Sequence, residues 1–167
     1  MSNLLFERLR WLHCLGILSI YLPDFAHITG LAQYDLFHQY TVDAHTLLVL
    51  QLLQQLGTRT TDTLSDIYHN LPNKLPLTIA ALLHDSAKGQ GSDHSTLGAV
   101  VVSQFCAKHA LVPEDSALAA WLVKEHLTMS LTAQKKDIDD PEVISQFAQL
   151  VESKYRLDCL YLLTVAD

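Results

Sequence analysis

No apolar run in this sequence approaches the roughly 20 residues that a membrane-spanning helix requires. The nearest, Trp11 to Leu22, is shorter, sits behind Glu7, Arg8 and Arg10, and leads into Pro23-Asp24-Phe25, which offers no small-residue signal cleavage site. The expectation is a cytoplasmic protein without a membrane partner. Cysteine is scarce as well: Cys14, Cys106 and Cys159 are odd in number, far apart and set in apolar helical patterns, which excludes a disulfide framework or a cysteine zinc site and suggests core filler. Basic residues are also few, 11 Lys and Arg against 18 Asp and Glu, for a formal charge of −7. A nucleic-acid surface needs clustered cations to replace phosphate counterions, so none is expected here. A phosphate-bearing substrate would need metal ions to supply much of the attraction. Strand alternation, internal repeats and low-complexity tracts are absent too.

What is present is a 167-residue chain, 49% hydrophobic and 17% charged, which can bury one sizeable core. Its periodicity predicts a single all-α domain. Leu4 to Leu22 reads as one amphipathic helix ended by Pro23. Thr46 to Leu56 reads as a buried helix with His45 in its first turns, and Gly57 to Thr63, with four threonines, as a loop. Leu64 to His69 suits a short helix. Pro76 can open a helix that carries His84 and Asp85 and ends near Gly89. Asp93 or Ser95 can cap the next helix, running to about His109. Pro113 opens another, with Leu118, Leu122 and His126 on one stripe. Thr132 to Asp140 reads as a polar loop, Asp140-Pro141 as the cap of a helix to about Glu152, and Arg156 to Asp167 as the last helix.

Nine histidines are the unusual count. His13, His27, His69 and His109 are read as dispensable for metal binding. His45, His84, Asp85, His94, His126 and Asp167 each fall near the end of a different apolar helix or beside such an end. Their convergence would make a mixed imidazole and carboxylate pocket for one or two divalent ions, with manganese, iron, nickel and zinc all admitted. Lys88 lies one turn beyond His84 and could hold a phosphate oxygen. The plainer alternative is that these histidines cap helix carbonyls or pair with acids. Asp167, at a helix end, is expected to be loosely held.

The order His45, His84-Asp85, Asp167 resembles the HD phosphohydrolase superfamily. Four longer stretches, Tyr34 through Thr46, His84 through Ser95, Met129 through Gln134 and Leu157 through Asp167, are similar to the central domain of bacterial bifunctional PII uridylyltransferase/uridylyl-removing enzymes. The resemblance implies an HD-domain helical bundle that removes UMP from a tyrosine of the PII nitrogen-signalling protein. It implies that His45, His84, Asp85 and Asp167 hold one ion and that Asp85 bridges to a second held by His94 and His126. Lys88 matches a family lysine, Asp85 and Lys88 are the catalytic candidates, and manganese or magnesium is the ion in use. It further implies a piece of a longer enzyme, with nucleotidyltransferase and ACT domains outside these 167 residues, so neither uridylyl transfer nor a glutamine response is expected. Lys88 and Gly89 stand where guanosine tetraphosphate hydrolases carry a Glu-Asp pair, which disfavours that substrate. Two other readings stay open: an HD phosphohydrolase of a free nucleotide, and a non-catalytic helical module that docks PII.

Overall fold

The structure, a computed structural model, describes residues 4–32, 40–60, 62–91 and 93–167. Among these there are eleven helices and no strand. The central helix, α4 (Val42–Leu56), places Val42, Thr46, Val49, Leu50, Leu53 and Leu56 on one stripe, and all six are buried. It begins four residues earlier than its apolar run suggests, so His45 lies in its first turn. Residues 33–39, which include the first six positions of the Tyr34-to-Thr46 motif, lie outside the described residues.

Against α4 pack α6 (Leu75–Leu83) and α11 (Lys154–Ala166); α8 (Pro113–Glu125) packs in turn on α6 and α11, and α7 (His94–Lys108) lies along α8. Leu77, Leu83, Val102, Leu122, Leu160 and Leu163 are among the side chains sealed between them. A peripheral helix, α5 (Thr63–Asn70), is capped by Asp62, whose carboxylate accepts from Ser65 N–H at 2.8 Å. Asp93 caps α7 in the same way, taking Ser95 N–H at 3.1 Å.

At several points the chain departs from the sequence reading. Residues 4–22 are not one helix, because Gly16 turns the backbone left-handed (φ 72°) between α1 (Leu4–Cys14) and α2 (Ile17–Tyr21). Pro23 then opens α3 (Pro23–Ile28), a position where its missing N–H costs nothing. Cys14 is exposed, unlike the buried Cys106 and Cys159, so it is not core filler. The expected loop at Thr132 is helical to Lys135, within α9 (Thr128–Lys135), and only 136–140 remain irregular before α10 (Pro141–Val151). Regular helix in α6 stops at Leu83 rather than near Gly89. There the His84 ring takes the Ala81 carbonyl and the Ser86 hydroxyl takes that of Leu83, at 3.0 and 2.8 Å, and such bonds compete with continuation of the helix. The next residues run on as tight turns, Ser86 N–H to Leu83 O and Lys88 N–H to Asp85 O.

The N-terminal helices meet α4 through a pair that the sequence did not single out. His13 Nε2 lies 3.0 Å from Asp43 Oδ2, with the carboxylate 7% exposed. Replacing His13 with alanine removes the described partner of a buried carboxylate whose Oδ1 has none among the described residues. The expected cost is about 1–3 kcal/mol, seen as a lower urea midpoint at unchanged slope, with metal content unaffected.

Candidate metal centre

Five helices deliver six side chains to one place. His45 comes from the first turn of α4, His84 and Asp85 from the turn that ends α6, and His94 from the first residue of α7. His126 follows the last residue of α8, and Asp167 follows α11. Each thus sits at a helix boundary, where the backbone leaves the bundle's regular packing.

Their polar atoms fall into two groups that share one residue. The donor atoms of His45, His84 and Asp85 lie within 4.8 Å of one another, as do those of Asp85, His94 and His126. That spacing is near twice a metal–nitrogen bond of about 2.1 Å. Asp85 divides its oxygens between the two: Oδ2 is 3.5 Å from His84 Nε2, while Oδ1 is 3.8 Å from His94 Nε2 and 3.9 Å from His126 Nε2. Asp167 joins the first group, its Oδ1 2.7 Å from His45 Nε2 and 3.2 Å from His84 Nε2. Its side chain is only 18% exposed and its N–H donates to Leu163 O, so the expectation of a loose terminal ligand does not hold. Lys88 Nζ donates to Asp85 Oδ2 at 2.8 Å.

Two of the imidazoles are aimed by their own backbones. His84 Nδ1 meets the Ala81 carbonyl at 3.0 Å and His126 Nδ1 meets that of Val123 at 2.7 Å. A carbonyl only accepts, so each Nδ1 carries the proton and each Nε2 faces the site, the arrangement usual for a metal-binding histidine. His84 Nε2 is fully buried and, among the described residues, has no polar neighbours beyond the Asp167 oxygen at 3.2 Å and the Asp85 oxygen at 3.5 Å, both of them metal-ligand types. A buried orphan of this kind, ringed by carboxylates and imidazoles, suits a divalent cation, and these residues could hold one or two.

The charges point the same way. Burial alone would hold the His84 imidazole neutral, but Asp85 and Asp167 outweigh it and raise the group to about 9. His126 is pushed down to about 4 by burial and by the neighbouring His84 charge. Burial would raise both carboxylates; for Asp85 the His84 and Lys88 charges prevail, and for Asp167 its bonds to His45 and His84 do, so both stay below their ordinary range.

The other described histidines stand apart: His13 faces Asp43, His27 is exposed on α3, His69 bonds the Arg59 carbonyl and His109 lies against Phe105. The sequence reading missed the carbonyls of Ala81 and Val123 as orienting groups. Their signal was a histidine three residues past a carbonyl in a helix's last turn.

A helical bundle that gathers a histidine, a His-Asp doublet and a distant aspartate defines the class of HD metal-binding domains. The HD domain family model matches residues 42–166, and the chain belongs to that family. Among curated relatives, the bifunctional uridylyltransferase/uridylyl-removing enzyme of Psychrobacter cryohalolentis is 48% identical over 99% of this chain and 19% of its own length. Proteins of the same name from Stutzerimonas stutzeri and Xanthomonas campestris pv. campestris are 51% and 49% identical over 96% of this chain. The chain therefore spans about a fifth of the length of these relatives.

Ion binding at His84 must displace a proton that the metal-free site holds. The group's raised value means that its stabilising contribution is fully present below 6.5 and is lost as pH climbs through about 9. Manganese affinity is expected to rise across that same window, with proton release near pH 7.5 that calorimetry in buffers of different ionisation enthalpy measures directly. A flat affinity from pH 6.5 to 9 is the contrary result.

Proposed function

We propose that this chain is the HD domain of a uridylyl-removing enzyme, a metal-dependent phosphodiesterase acting on a uridylylated tyrosine of a PII-type signalling protein. The observation that carries the reaction class is the Asp85 carboxylate, which presents one oxygen to each of two histidine groups. The uridylyl-removing reaction is supported by the names of the relatives, and the PII tyrosine by the family resemblance of the motifs in this chain. A PII-type substrate puts the reaction in the cytoplasm.

In this reading His45, His84, Asp85 and Asp167 hold one ion, and Asp85, His94 and His126 hold a second, with manganese or magnesium in use. Bound there, the ions supply Lewis-acid chemistry, lowering the pKa of water and offsetting phosphoryl charge. The protein's own part is positioning. His84 and His126 keep their Nε2 lone pairs inward because their Nδ1 protons are committed to backbone carbonyls. Asp85, 2% exposed, sets the spacing of the two sites. His94, with 27% of its side chain exposed, is the most solvent-accessible of the six side chains.

The step balances simply. A water oxygen attacks phosphorus, the bond from phosphorus to the tyrosine oxygen breaks, and UMP and a free tyrosine result. The leaving phenolate has a parent pKa of about 10, low enough to depart without a strong general acid. Lys88, anchored on Asp85, offers its ammonium to a non-bridging phosphoryl oxygen as charge grows there.

With uridylylated PII and manganese, Asp85→Ala is expected to abolish UMP release, since both ions lose a ligand. Lys88→Ala is expected to keep its metal and lose about a hundredfold in rate, the size typical of removing one preorganised charge-stabilising donor. Turnover of free nucleotides in place of uridylylated PII would overturn the substrate assignment. Protein purified without chelator that contains no stoichiometric metal would instead be a docking module.

A further inference from the structure

Gly98, inside α7, has no conformational reason to be glycine. It is buried, its helical backbone suits any residue, and glycine in a helix costs about 1 kcal/mol relative to alanine. What it has is neighbours. A β-carbon placed on it would stand 2.9 Å from Val123 Cγ1, 3.5 Å from the His84 carbonyl oxygen and 3.8 Å from that of Leu83. The first distance is a clash and the other two are ordinary contacts.

The clash falls on a particular residue. Val123 is the one whose carbonyl fixes His126 Nδ1, at 2.7 Å. Its side chain is fully buried and, being β-branched, is held to one rotamer in a helix, so it cannot swing aside. His94 lies four residues before Gly98, on the same face of α7. The three imidazoles nearest this point stand 5.4 Å apart (His84 and His126) and 5.6 Å apart (His94 and His126), ring centre to ring centre. His45 and Asp167 belong to α4 and α11, away from the clash.

We propose that Gly98 is a positioning residue for the second ion: its missing side chain lets α8 approach α7 and α6 closely enough for His126 and His94 to reach Asp85 Oδ1. The inference rests on the two-ion reading above. A methyl group at 98 presses first on Val123 of α8, whose His126 serves the second ion alone, whereas His45, His84 and Asp167 are carried by α4, α6 and α11, so the second ion is the more strongly affected. General destabilisation would weaken both together.

Manganese titration followed by electron paramagnetic resonance reads this directly, through the free-ion signal and the exchange-coupled signal of a metal pair. Wild type is expected to take two ions. Gly98→Ala should bind the first as wild type does, bind the second at least about tenfold more weakly, equivalent to about 1.4 kcal/mol, and lose the coupled signal. Adding Val123→Ala removes the clashing atom and should restore the second ion to within about threefold of Val123→Ala alone. Should Gly98→Ala not fold, that double variant carries the test by itself. Normal second-ion binding in Gly98→Ala, or no restoration in the double variant, overturns the role of Gly98. A wild-type protein that saturates at one ion overturns the two-ion reading and the inference with it.

Discussion

A carboxylate that is 2% exposed cannot stay ionised unless positive charge meets it from close by, and the interior around Asp85 is organised to meet that demand. In the metal-free protein the cations are a protonated His84 and the Lys88 ammonium. Both stand on the Oδ2 side. Among the described residues, the ionisable groups beside Oδ1 are His94 and His126, the latter held neutral by burial and by the His84 charge. The pocket is therefore better neutralised on one side than on the other, and a divalent cation between Asp85 Oδ1 and the two histidines would even it out.

That demand could be met only by bringing helix ends together. A ligand in mid-helix points to one side of its own axis, whereas residues at termini can face a common point from five directions. The bundle's apolar stripes do the assembling: α4, α6, α8 and α11 close on one another through Leu50, Leu77, Leu122 and Leu160. The polar groups are carried to the same region as a consequence of where each stripe stops.

Much of this was legible in the chain, and for identifiable reasons. His84-Asp85 follows an apolar run that had to be a helix, and His126 closes the stripe of Leu118 and Leu122, so their placement at helix ends followed from periodicity. What escaped was decided by contacts distant in sequence. Gly16 breaks a pattern that periodicity alone would continue. His13 and Asp43 are separated by α2 and α3, so no local spacing announces their pairing. The firm hold on Asp167 depends on His45 and His84, which a reading of the last helix by itself cannot include. Gly98 looked like an ordinary weak point in a helix until Val123 was set beside it.

His84 and His126 adopt nearly the same backbone angles, φ −57°, ψ −36° and φ −55°, ψ −33°, and each ties its ring to the carbonyl three residues back. These two donors are thus set by local backbone conformation and a short-range hydrogen bond. At these two donors an arriving ion meets rings already oriented by backbone carbonyls, which lowers the ordering cost of binding. Its entry is paced by how readily it sheds its own water, and magnesium, which dehydrates reluctantly, would load slowly into a cradle that more labile ions fill at once.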